Sequence, residues 1–69
     1  MSYKEWLYDE LCNDGIIVAE EVEMDEISDS FLLETTELDV YDLENYREQF
    51  KEHCSRNNVT PAWDVEEID

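Results

Sequence analysis

Tyr3, Trp6, Leu7 and Leu11 recur at intervals of three and four, the spacing that gathers side chains on one face of an α-helix. Ser2 and Glu5 stand at capping-box spacing at its start. Asn13-Asp14-Gly15 is a stop signal, because Gly15 takes a left-handed conformation without steric cost. Glu5, Asp9 and Glu10 fall on the wet side of this helix. A second stripe runs through Leu43, Tyr46, Phe50 and Cys54, with Val40 extending it backwards. It predicts a helix that begins at Asp39 or Asp42 and runs to about Arg56. Acids crowd its start, and Lys51, His53 and Arg56 sit near its end, the order that suits the helix dipole. Asn57-Asn58 closes it.

The segments between and after these stripes read differently. Ile16, Val18, Glu20, Val22 and Met24 share one face of an extended chain, and Ile17, Ala19, Glu21 and Glu23 the other. Asp25 to Asp29 then reads as a turn, and Ser30 to Thr36 as a returning strand with Phe31, Leu33 and Thr35 inward. Met24, Ile27, Ser28, Phe31, Thr35 and Leu38 also fit a helical stripe. The β-branched residues of 16–22 and the Thr35-Thr36 pair favour strands. Val59, Pro61, Trp63 and Val65 alternate with Thr60, Ala62, Asp64 and Glu66, an edge-strand pattern in which Pro61 is tolerated. The expected fold is therefore α+β: two helices against a short three-stranded antiparallel sheet, in the order α-β-β-α-β. The alternative is an all-α three-helix fold.

Sixty-nine residues form a single domain, 1–69, with 64–69 free to fray. A chain this short buries only about 60% of its unfolded surface. Hydrophobic residues at 42%, with one Gly and one Pro, argue for a core over disorder. No apolar leader follows Met1, and the longest apolar run, Ile16 to Ala19, falls far short of the ~20 residues that span a bilayer. Cys12 and Cys54 are then expected as free thiols in a cytoplasmic protein.

Catalytic constellations are missing from the sequence. His53 and Cys54 are helix neighbours about 100° apart, poorly placed to act as a pair. Glu20-Glu21, Asp25-Glu26 and Glu66-Glu67 lack the cations or glycine loop of a phosphate site, since Gly15 is the only glycine. Asp25 to Asp29 lacks the ordered ligands and central Gly of a calcium loop. Two Cys and one His fall short of a structural zinc site. The expectation is a protein that is not an enzyme, with no catalytic residue, metal or cofactor.

Charge changes the picture most. Between Glu5 and Tyr46 there is no Lys, Arg or His, and the whole chain sets 21 Asp and Glu against 4 Lys and Arg, a formal net charge of -17. Folding does not call for such an imbalance, which repels itself. A strongly basic partner does, and proteins that hold phosphate with Lys and Arg are the commonest of these. A compact chain of this length has a radius of gyration of ~11 Å. Duplex DNA spanning its ~28 Å diameter carries about 16 phosphates. The residues expected to contact the partner are Glu20, Glu21, Glu23, Asp25, Glu26, Asp29, Glu34, Glu37, Asp39, Asp42 and Glu44, with Tyr41 as an aromatic anchor inside the acidic rim. Tyr3, Tyr8 and Trp63 are further exposed-aromatic candidates, whereas Trp6 and Phe50 are expected in the core.

In size, charge and general character the chain is similar to the small acidic inhibitors of phages and mobile elements known as DNA mimics. These include anti-restriction proteins, anti-CRISPR proteins and uracil-DNA glycosylase inhibitors. The resemblance carries no motif, so it transfers no residue role. It implies a non-enzymatic inhibitor in the host-cell cytoplasm that occupies the basic DNA- or RNA-binding surface of a nuclease or defence complex. The alternative is an acidic adaptor or antitoxin-like module that binds one basic protein outside its nucleic-acid groove. Free nucleic acid and anionic membrane are not expected as ligands, because both are repelled. The sequence leaves the oligomeric state open.

Overall fold

In the computed structural model, which describes residues 1–66, three α-helices follow in order: α1 (Tyr3–Asn13), α2 (Asp29–Thr35) and α3 (Val40–Arg56). A single 3₁₀ turn, Met24–Glu26, lies between α1 and α2. The fold is an all-α three-helix bundle, and among the described residues there is no β-strand or sheet. The expected α+β fold with a three-stranded sheet is thus overturned, and the all-α alternative stands.

The two striped helices form where the sequence marks them. Ser2 caps α1 by accepting from the Glu5 amide at 3.2 Å. At the other end the Gly15 N–H reaches the Cys12 carbonyl at 3.1 Å and the Ile16 N–H reaches Leu11 at 2.9 Å. This is a Schellman closure, with Gly15 at φ 74. Helix α3 opens with a reciprocal box in which the Asp42 amide donates to Asp39 Oδ1 at 2.9 Å and the Asp39 amide to Asp42 Oδ2 at 3.2 Å. It closes as α1 does: Val59 N–H bonds Cys54 at 3.0 Å across Asn58, which takes φ 54.

The segments expected as strands have local reasons to be something else. Ser28 caps α2 by accepting from Phe31 N–H at 3.1 Å. Thr35 and Thr36 turn their hydroxyls back onto the carbonyls of Phe31 and Leu32, a bond that lets a β-branched residue end a helix. With residues 30–35 helical and Thr36 capping them, Ile16–Met24 has no strand to pair with. It folds into a turn in which Glu21 and Val22 both donate to the Val18 carbonyl, at 2.9 and 3.0 Å. Tyr8 on α1 holds this turn by donating its hydroxyl to Val22 O at 2.7 Å.

The C-terminal segment makes one isolated parallel bridge, Ser2 to Ala62, in place of the expected edge strand. It folds across the start of α1 through Tyr3 N–H to Ala62 O at 3.0 Å and Ala62 N–H to Met1 O at 2.7 Å. Asp64 acts as a second cap for α1, accepting from the Ser2 hydroxyl and, at 2.8 Å, from the Lys4 amide. Asp64 and Val65 are thus bonded to α1 and α3, and 67–69 of the tail expected to fray lie outside the described residues. The core gathers Tyr3, Leu7, Leu11, Ile17, Ile27, Leu32, Leu43, Tyr46, Phe50, Cys54 and Val65. The radius of gyration is 11.6 Å and the extents are 32 × 27 × 19 Å.

Candidate functional site: an acidic cleft with two aromatic walls

Helix geometry sets one wall of the site. Tyr41, Glu44, Asn45, Glu48 and Lys51 follow one another at helical spacing along the exposed side of α3. The opposite wall is the C-terminal segment, which brings Trp63, Val65 and Glu66 alongside them. Together with Arg47 these residues enclose a cleft of about 800 Å3. Tyr41 is 79% exposed and Trp63 42%.

Arg47 forms the base of the cleft and ties three elements together. Its guanidinium donates to Asp29 Oδ2 at 3.0 Å and to the Val65 carbonyl at 3.3 Å. It also lies 4.9 Å from the centre of the Tyr3 ring and 5.7 Å from that of Trp63. Trp63 in turn packs edge-on against Phe50, with ring centres 5.2 Å apart. The position of Trp63 is thus fixed from below by the core and by a buried cation. Above, Lys51 pairs with Glu48 at 3.3 Å on the surface.

The structure redistributes the expected contact residues. Tyr41 and Glu44 line the cleft. Glu20, Glu21, Glu23, Asp25 and Glu26 are all exposed on the connection from α1 to α2, outside that cleft. Glu34 is exposed on α2. Glu37 and Asp42 border a smaller hollow beside Gly15 and Leu38, and Asp39 is exposed at the cap of α3. Asp29 is a correction: at 3% exposure it belongs to the core, held there by Arg47. Of the aromatic candidates, Tyr3 is fully buried and Tyr8 is half-buried in its bond to the 18–22 turn. Trp63, the remaining aromatic candidate, is exposed and lines the cleft, whereas Glu48 and Glu66 on its rim are not among the expected contacts. The i, i+4 and i, i+7 spacing of Tyr41, Asn45 and Glu48 was the available signal for Glu48. Nothing local in the sequence places Trp63 across from Tyr41.

Two phenols near the acids have their acidity lowered by their surroundings. Burial pushes the Tyr46 phenol well above its ordinary value, and its 2.8 Å hydrogen bond to Asp14 adds to this. Burial, with Cys12, Asp9 and Glu23 nearby, raises Tyr8 in the same direction. Among the described residues no group of three or more His, Cys, Asp or Glu side chains is placed to hold a metal ion. No described helix is long and apolar enough to cross a membrane. No protein-family model matches the chain, and neither a curated protein nor a solved structure matches it at a significant level.

Proposed function

We propose that the chain is a non-enzymatic acidic module that binds one basic protein partner outside the groove in which that partner holds nucleic acid. The partner class is a nucleic-acid-binding protein or a nuclease complex, and the setting is the cytoplasm of a host cell. The observation that carries this reading is the cleft, where exposed Tyr41 and Trp63 stand beside Glu44, Glu48 and Glu66. An aromatic anchor within a charged rim is the anatomy of a protein–protein hot spot. A phosphate backbone presents regularly spaced charge and no such anchor. The withdrawal of Asp29 into the core also thins the acidic surface that a phosphate copy needs.

Nucleic-acid mimicry is the second reading, favoured by a different observation. Glu20, Glu21, Glu23, Asp25 and Glu26 are all exposed within one connection that contains no cation. Duplex DNA as long as the 32 Å molecule carries about 19 phosphates, close to the net charge of -17. The deciding experiment takes the partner captured from a bacterial lysate and adds an excess of its DNA or guide RNA. A ternary complex that persists with the nucleic acid bound supports the adaptor reading. Displacement of the chain by the nucleic acid overturns it in favour of mimicry.

A further inference from the structure

We infer that the cleft between α3 and the C-terminal segment is an arginine-recognition site, which takes one guanidinium from an extended basic segment of the partner. The inference rests on the reading above and narrows it to one side-chain chemistry. Tyr41 makes no ring contact among the described residues and is 79% exposed, so the fold makes no use of its ring for packing. Trp63 keeps 42% of its surface exposed although its ring is already fixed by Phe50 and Arg47. Both rings open on the same cleft.

The carboxylates beside them point to a cation. Glu44 and Glu66 enter no ion pair among the described residues. Glu48 is held only by Lys51, in a surface pair whose side chains are 72% and 60% exposed and which a guest cation displaces at little cost. Of the cations lining the cleft, Arg47 is committed to a buried pair with Asp29, and the exposed Lys51 stands among three carboxylates, Glu44, Glu48 and Glu66, which oppose an anionic ligand. The molecule also shows how it holds a guanidinium: Arg47 sits against Tyr3 and Trp63 with a carboxylate at 3.0 Å. The cleft repeats those parts, aromatic rings with carboxylates beside them, on the outer side. A planar, weakly hydrated guanidinium uses both features, whereas an ammonium gives up more hydration to reach a ring. The volume of about 800 Å3 exceeds one side chain, which leaves room for the flanking residues of an extended segment.

Three capped pentapeptides, glycine apart from a central arginine, lysine or citrulline, test this by titration into the full-length protein, followed by amide and indole NMR shifts. The arginine peptide is expected to shift the Trp63 indole and the amides of Tyr41, Glu44 and Glu48. It should bind roughly 3- to 10-fold more tightly than the lysine peptide, the span that one cation–π contact supplies. Citrulline, which lacks the charge, should not bind. Tyr41→Ala, at a position the core does not use, should abolish the arginine preference while leaving the remaining spectrum folded. Equal arginine and lysine affinities, no shift with either, or an unchanged preference in Tyr41→Ala each overturn the arginine site. If both peptides bind alike along residues 20–26, the basic-partner reading survives without the arginine site. If arginine selectivity holds but nucleic acid displaces the chain from its partner, the adaptor reading fails and the site remains.

Discussion

The Asp29 carboxylate sits at 3% exposure, with one oxygen 3.0 Å from Arg47 and the other without a hydrogen-bond partner among the described residues. A buried charge tolerates this only while its counter-charge stays in place. Asp29→Ala and Arg47→Ala are each expected to cost about 3–5 kcal/mol, because each strands the other ion. A domain of this size has only ~3–5 kcal/mol in total, so both variants should be largely unfolded in urea-free buffer by circular dichroism. Asp29→Leu combined with Arg47→Met removes both charges and should recover most of the helix signal. A loss below about 1 kcal/mol in Asp29→Ala would refute the structural role. Asp64 offers a pH test. Burial pushes its carboxyl up, but the Ser2 hydroxyl and the Lys4 amide outweigh burial and hold it below the ordinary 3.8. A folded value below the unfolded one means that these contacts stabilise at higher pH and are lost as pH falls through the lowered value. Asp64→Asn should therefore flatten the acid limb of the stability curve, below about pH 4, relative to the parent chain. Parallel curves in urea melts across that range would show that Asp64 contributes nothing through its charge.

At the scale of elements, the ends of the helices were easier to read than what lies between them. Ser2, Gly15, Asp39, Asp42 and Asn57-Asn58 are local signals, and each does its job within a few residues of its own position. Gly15→Ala tests one of them. A Cβ there meets nothing within 4 Å, so its cost is conformational alone, about 1–2 kcal/mol for φ 74. Asn58→Gly, at φ 54, should be neutral or slightly stabilising, since glycine takes that region more readily. Thermal melts should show a loss for Gly15→Ala and none for Asn58→Gly, and a neutral Gly15→Ala would count against the Schellman closure. In the middle of the chain β-branching does not mean a strand, because Thr35 and Thr36 end a helix there. The alternation of Ile16–Met24 already carried Glu20 on its apolar face, and a strand also needs a partner that Ser28 and the two threonines convert into a helix. The site was legible by halves for the same reason. Tyr41 stood out between Asp39 and Asp42 along one helix. The facing Trp63 depends on bridges such as Tyr3 to Ala62, and the burial of Asp29 on Arg47, 18 residues away.

Across the whole molecule, three of the four Lys and Arg residues lie on α3, each in an ion pair, and the 5–46 stretch carries none. The fold therefore keeps three of its four Lys and Arg residues on one helix and leaves the α1–α2 connection to repel itself. Added salt should raise the melting temperature by screening that repulsion, opposite to its effect on partner affinity, where it screens attraction. Charge reversal separates a placed surface from bulk charge. Changing Glu20, Glu21, Glu23 and Glu26 together to Lys moves the net charge by 8 units, from -17 to -9. It should weaken binding of the captured partner at least ~100-fold if the connection joins the interface, a few kcal/mol spread over several contacts. The isolated domain should meanwhile melt no lower, since repulsion has been removed. Matched reversal of four acids elsewhere, Glu5, Asp9, Glu34 and Glu52, gives the same net charge on exposed positions outside the connection and the cleft. Measured affinities decide the matter: a much larger loss in the first variant means that positioned carboxylates select the partner. Equal losses mean that net charge alone draws the partner in and that the cleft supplies what specificity there is.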